Sequence, residues 1–300
     1  MKRNLVLSLA SLLLCLASLA QEFKARDYCV NNGAVSLPAT LLANGDKAAP
    51  IVVFVHGSGP NDRDETLGPN KFFRSLADSL AVRGIASLRY DKRTMLYNGG
   101  ADTITYREET VDDAIQAVRQ LHEAGYTHIF VAGHSLGGHL APLIAEATAP
   151  ILDGVIILSG NVGSLQSCLD CQLHYLGRQQ GASEAMIRQS IDQMLAALPA
   201  RYREFDEAYT PQPVVRRLLA EHPSLRWLIV QGGHDYQVTM ADYYMWQRML
   251  GPRATYCYGP TLDHILRSLP AMATPQDYMQ PGETDTKVIS ALSEFINTKP

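Results

Sequence analysis

Residues 127–150 read THIFVAGHSLGGHLAPLIAEATAP, and within them an apolar run stops at Gly133-His134-Ser135-Leu136-Gly137-Gly138 before a different periodicity begins. His128 to Ala132 has the composition of a short buried strand. Leu136, Leu140, Leu143, Ile144 and Ala147 then recur at helical spacing until Pro150. Ser135 therefore falls in the turn between a strand and a helix. So abrupt a turn needs small neighbours on both sides, and Gly133 and Gly137 supply them in the pattern Gly-x-Ser-x-Gly. The turn pushes the serine hydroxyl outward, beside the unpaired N–H groups and positive dipole end of the helix N-terminus, where an oxyanion would be stabilised. A serine that merely caps a helix satisfies the same pattern. The partners elsewhere in the chain must decide.

Residues 1–20, MKRNLVLSLASLLLCLASLA, place Lys2 and Arg3 before an apolar run that ends in small residues, which is the pattern of a cleaved secretory signal peptide. The run is short for a membrane span, and polar Gln21, Glu22 and Lys24 follow it closely. Leu14 before Cys15 is not the small residue that a lipoprotein site wants. Export to the periplasm or the exterior is the expectation. Without residues 1–20 the chain keeps 24 basic against 30 acidic side chains, a formal charge of −6, which argues against a nucleic-acid partner. Cys29, Cys168, Cys171 and Cys257 remain. Export permits disulfides, and Cys168, Cys171 and His174 share a helical face at metal-like spacing, but no second pair completes a zinc site. A local disulfide or packed thiols are the other readings.

Strand-like runs at Ile51–Val55, Ile85–Tyr90, His128–Ala132, Gly154–Ser159, Trp227–Gln231 and Thr255–Tyr258 alternate with amphipathic segments such as Phe72–Val82 and Thr110–Ala124. This alternation implies a mostly parallel sheet flanked by helices on both faces. Asp27–Asn31 and Val35–Leu42 flank Asn32-Gly33 and predict an antiparallel hairpin at the start of the sheet. From 162 to 224 there is no strand pattern, only helical ones such as Glu184–Leu198 and Val214–Glu221. That interval is too long for a simple connection and reads as a helical cap inserted into a core of residues 21–161 and 225–300. Most of its apolar side chains should form the cap's own core. Met186, Met194 and Tyr202 are candidates to line the site.

In an open parallel sheet, ligands and reactive groups collect beyond the carboxyl ends of the strands. Asp235 follows RWLIVQGGHD, just past a buried strand and a Gly-Gly turn, and is the best acid. Asp242 belongs to the next helix. Asp263 directly precedes a histidine and would struggle to reach back to it. With the order Ser, acid, His, the histidine after Asp235 is His264, in the loop YGPTLDHIL. An oxyanion would be held by the backbone N–H of Leu136 and by that of Ser58, in the turn His56-Gly57-Ser58-Gly59 that ends PIVVFVHGSGP. His56 and His134 lie on the strand side of their turns and read as structural. Asp62-Arg63-Asp64 reads as an ion-pair tie for the oxyanion loop, and Lys92 and Arg93 either join it or meet an acidic substrate group.

With these residues in place, residues 28–300 resemble an α/β-hydrolase-fold serine hydrolase. The run HGSGPNDRDETLGPNKFFRSLADSLAVRGIASLRYDKRT, residues 56–94, resembles bacterial carboxylesterases grouped with dienelactone-hydrolase-like and serine-aminopeptidase-like proteins. The resemblance implies Ser135 as nucleophile, Asp235 as acid, His264 as base, a small-molecule ester as substrate, and no metal or organic cofactor. Cleavage of peptides or thioesters and acyl transfer use the same three groups. A peptidase acting on free N-termini would want an acid in the cap, where Glu184, Asp192, Glu204, Asp206 and Glu207 are available. A binding protein that kept the fold is the non-catalytic alternative.

Overall fold

The computed structural model describes residues 22–33, 35–96 and 104–298. The expected signal segment, residues 1–20, lies outside them. Strands β1 (Lys24–Asn32), β2 (Val35–Ala43), β3 (Ile51–Val55), β6 (Ala86–Tyr90), β7 (Ile129–His134), β8 (Gly154–Leu158), β9 (Arg226–Gly232) and β10 (Ala254–Gly259) form one sheet in the order β1-β2-β6-β3-β7-β8-β9-β10. A two-residue ribbon, β4 (Thr66–Leu67) with β5 (Asn70–Lys71), stands apart. The predicted hairpin is present and antiparallel, with Asn32 itself paired to Val35. β2 also runs antiparallel to β6, and from β6 to β10 every pairing is parallel.

The continuous apolar runs follow from burial on both faces. Ile51, Val53 and Val55 enter one core with Ile129, Val131, Val155, Ile157, Trp227 and Ile229. Val52 and Phe54 enter the other with Phe130, Ile156, Leu158, Leu228 and Val230. Helix α1 (Phe72–Ala81) and α10 (Thr286–Asn297) cover the second face. The first face carries α3 (Asp113–Glu123), α4 (Leu136–Thr148), α8 (Pro211–Glu221) and α9 (Met240–Leu250). A single turn, α2 (Arg93–Leu96), follows β6.

Between β8 and β9 lie α5 (Leu165–Gln179), α6 (Glu184–Ala197), α7 (Ala200–Ala208) and α8. Ser164 and Ser183 cap α5 and α6 by accepting from Ser167 N and Met186 N. Not all of this interval stands apart from the core: Val214, Val215 and Leu218 of α8 pack in the cluster that holds Leu140 and Ile144 of α4. Leu169 of α5, Met194 of α6 and Tyr202 of α7 line a cavity together with Ser135, which places these three helices over the carboxyl ends of the strands. Asp242 of α9 ties down the entrance to this region, accepting from Val162 N at 2.8 Å and Gly163 N at 3.2 Å. Among the described residues no helix is long and apolar enough to cross a membrane.

Candidate active site

Ser135 follows directly on β7 and adopts φ 52°, ψ −118°. This is a strained backbone for a residue with a side chain, costing on the order of 1–3 kcal/mol, which the surrounding packing must hold in place. That packing explains the two glycines. A Cβ on Gly133 would sit 2.3 Å from the Gly137 oxygen, and one on Gly137 would sit 2.3 Å from the Val55 oxygen, closer than any side chain allows. The start of α4 is therefore pressed against the end of β3, which brings the Ser58 turn beside Ser135.

Asp235 and His264 come together beyond β9 and β10. His264 Nδ1 and Asp235 Oδ2 are 2.8 Å apart, with Asp235 3% and His264 5% exposed. Since the carboxylate accepts, Nδ1 carries the hydrogen and Nε2 is left as the basic nitrogen. Asp235 is fully occupied: Oδ1 accepts from Gln237 N at 2.8 Å and Val238 N at 3.0 Å, and Oδ2 also from Gln231 Nε2 at 3.3 Å. The Gly-Gly turn before it permits close approach, because a Cβ on Gly232 would meet the Leu262 oxygen at 2.1 Å. Asp263, the weaker acid of the sequence, is committed elsewhere. It is fully buried and holds Arg267 through Nη2 at 2.7 Å and Nε at 2.9 Å, closing the loop that presents His264.

His134 and His56 brace the site from the sheet side. His134 Nε2 donates to the backbone oxygen of His264 at 2.9 Å, and their ring centroids are 4.6 Å apart. His134 Nδ1 stands 3.0 Å from Glu65 Oε2, within charge contact though out of line for a hydrogen bond. Burial alone would favour the neutral ring, but the Glu65 carboxylate outweighs it and raises His134 above 6.5. Burial likewise resists ionisation of Glu65, and the His134 charge overrides it and lowers the carboxyl. His56 Nε2 faces the Asp62 oxygen at 3.0 Å; its burial holds its pKa down to about 4.

The charged loop distributes its ties as follows. Arg63 pairs with Asp91 at 2.7 Å, Asp64 with Lys71 at 3.1 Å and with Arg89, and Asp62 turns inward to accept from Thr66 N at 2.9 Å. Arg93 pairs with buried Asp113. Lys92 and Glu65 do something else: they meet at Gly57. Glu65 Oε1 accepts from Gly57 N at 2.7 Å, and Lys92 Nζ donates to Gly57 O at 2.9 Å. The role of Glu65 was not legible in sequence, where it reads as one more acid in a charged loop. Glu109, on the π-helical turn Arg107–Asp112, was missed for the same reason; it is 3% exposed and lies 3.2 Å from Lys92 Nζ.

Two cavities open at Ser135. One of about 510 Å³ is lined by Ser58, Ser135, Glu109, Leu169, Met194 and Tyr202 among others, so it lies under the cap. The other, of about 330 Å³, holds Ser58, Ser135 and His264 with Tyr236 and Tyr278. A hollow of about 870 Å³ along the β10 edge contains none of the predicted site residues. Met186 is a correction: it is 60% exposed and lines neither cavity at Ser135. Glu184, Asp192, Glu204, Asp206 and Glu207 line neither of them. Glu184 pairs with Arg188 and His174, and Asp206 accepts from Leu165 N. Cys29, Cys168, Cys171 and Cys257 are free thiols, and among the described residues no group of three His, Cys, Asp or Glu is arranged for a metal ion.

Residues 52–289 match the α/β hydrolase family. The chain belongs to that family. It is 34% identical over 292 residues to the esterase EstD of Thermotoga maritima, covering 92% of this chain and 68% of that protein. Among solved structures it is similar to Est1E of Butyrivibrio proteoclasticus, with a TM-score of 0.60 at 16% identity over 90% of this chain and 97% of that one. It is also similar to a dienelactone hydrolase of Anabaena variabilis, with a TM-score of 0.57 at 18% identity over 91% and 97% of the two chains. At such identities these two show the α/β hydrolase fold alone.

Proposed function

We propose that this carboxylic-ester hydrolase works through Ser135, His264 and Asp235. The observation that carries the reading is the 2.8 Å contact of His264 Nδ1 with Asp235 at the rim of a cavity that Ser135 shares. Ser135 Oγ attacks the ester carbonyl, His264 Nε2 takes its proton, and Asp235 holds the ring and stabilises its charge. The N–H groups of Leu136 and Ser58 receive the oxyanion. His264 then returns the proton to the departing alkoxide, so the alcohol portion must lie on its side, in the 330 Å³ cavity, and the acyl portion in the 510 Å³ cavity under the cap. Water cleaves the acyl-enzyme by the reverse proton path.

Residues 1–20 support placing this reaction outside the cytoplasm. Among the rival substrates, a peptidase of free N-termini draws no support from the cap acids, which are spent on other partners or face solvent. The test is Ser135→Ala, which should lower ester hydrolysis by ~10⁴- to 10⁶-fold without loss of folding. A fluorophosphonate should label wild type at Ser135. Activity above a few per cent in the purified variant removes Ser135 from the nucleophile's role.

A further inference from the structure

Gly57 is gripped on both sides of its Cα, through the two peptide units that flank it. Its N–H is held by Glu65, and its carbonyl oxygen takes Lys92 Nζ at 2.9 Å, with a longer contact from Asn61 Nδ2 at 3.3 Å. That carbonyl belongs to the same planar unit as the N–H of Ser58. In a trans peptide the two bonds point in opposite directions, so fixing the oxygen aims the hydrogen. A cation on the oxygen also draws electron density from the unit, which makes the N–H a stronger donor, and the effect is larger where water is excluded.

The character of Lys92 is the second observation. It is 1% exposed, and a lysine so buried is costly unless its charge is matched. A neutral donor could have held a carbonyl in place. Instead the chain buries an ammonium and balances it with Glu109 Oε1 at 3.2 Å. Glu109 Oε2 in turn accepts from the Tyr202 hydroxyl at 3.0 Å. Tyr202 sits on α7 of the cap, edge-on to Tyr106 at 4.5 Å, and lines the cavity assigned above to the acyl group. A continuous buried path therefore runs from the cap to the oxyanion turn.

We propose that Lys92 is a positioning residue of the oxyanion hole, and that Glu109 and Tyr202 couple its placement to the cap. The proposal rests on the reading of the Ser58 N–H as an oxyanion donor. Its consequence is that a correctly seated acyl group, by fixing Tyr202, completes the hole in which its own carbonyl reacts.

The test compares Lys92→Met/Glu109→Gln, which removes both charges together and leaves no unpaired ion, with Tyr202→Phe, which deletes one hydroxyl and keeps the ring. Each is assayed on an acetyl ester, and its affinity is measured for a trifluoromethyl ketone, which forms an oxyanion on Ser135, and for the matching secondary alcohol, which does not. The double variant should lose about ten- to a hundredfold in kcat with KM little changed, since the donor is misaimed rather than deleted. Ketone affinity should fall by the same factor and alcohol affinity should hold. Tyr202→Phe should give the same pattern at two- to fivefold. Wild-type kcat and ketone affinity in a folded double variant would overturn the role of Lys92, and an unaltered Tyr202→Phe would overturn the coupling to the cap. If the double variant does not fold, Tyr202→Phe and Glu109→Gln decide by the same ratio of ketone to alcohol affinity. If wild type does not bind the ketone, or Ser135→Ala stays active, the oxyanion reading has failed and the proposal falls with it.

Discussion

Ser135, Gly133 and Gly137 show how much one turn can specify. The serine's positive φ exists because a strand must become a helix without a loop, and the glycines exist because the two backbones then touch. Replacing Gly137 by alanine puts a methyl against the Val55 and His56 oxygens, at 2.3 and 2.6 Å, and backbone atoms cannot rotate away as side chains do. We expect Gly137→Ala to cost at least the ~1–3 kcal/mol of an overpacked core and to lower kcat as well, because the displaced segment leads into the Ser58 turn. Denaturant midpoints for Gly137→Ala and Ser135→Ala check this. Only the glycine variant should be destabilised, and equal stability of the two would refute the packing account. These residues were legible in the sequence because their constraint is local. Glu65, ten residues beyond Val55, was not, because its meaning lies in contacts with Gly57 and His134.

At the scale of elements, α5, α6 and α7 decide what reaches Ser135. Leu169 and Met194 line the 510 Å³ cavity at Ser135, whereas Met186, two turns earlier on the same helix as Met194, lines neither cavity there. Eight helical residues span about 12 Å, so the two methionines share a stripe but stand at different levels, and only one reaches the site. Leu169→Ala and Met194→Ala should shift preference toward longer acyl chains by about tenfold, given ~1–3 kcal/mol per methylene of pocket fit. Met186→Ala should leave the acyl-length profile as it is. Leu169 is buried and its loss should also lower the melting temperature; Met194, 47% exposed, should not lower it. A profile that moves equally in all three variants, or in none, would contradict this placement. The cap's helical character was readable from its spacing, but which helices overhang the site was not: α8 packs on α4, its apolar stripe matching that helix rather than its neighbours in the cap.

For the whole molecule, buried histidines set the acid limit. Burial holds His56 and His139 at about 4 in the folded chain, below the ordinary 6.5. The unfolded chain therefore takes up protons that the folded one refuses, and stability falls as pH drops from 6.5 toward 4, by roughly 3 kcal/mol for each histidine. His134 acts in the other direction: its raised value gives stability that is fully present below 6.5 and is lost as pH rises through its folded value. Unfolding free energy should thus pass through a maximum near neutrality. Measured across this range, His139→Gln should flatten the acid limb relative to wild type. An acid limb equally steep in the variant would remove His139 as a source.

Repeating strand and helix periods, a Gly-x-Ser-x-Gly turn and the order of Ser135, Asp235 and His264 were enough for the sequence alone to determine the parallel sheet, its hairpin start and the three candidate reacting groups. Each of these depends on neighbours in the chain or on the direction in which it runs. Tertiary structure alone decided that Glu65 and Glu109 are buried partners and not surface acids, that Lys92 turns to a backbone oxygen and not to substrate, and that Met194 but not Met186 lines the cavity. The physical reason is distance along the chain: Lys92 meets Gly57 across 35 residues and Tyr202 meets Glu109 across 93, and the burial that makes such polar contacts strong exists only once the segments have packed.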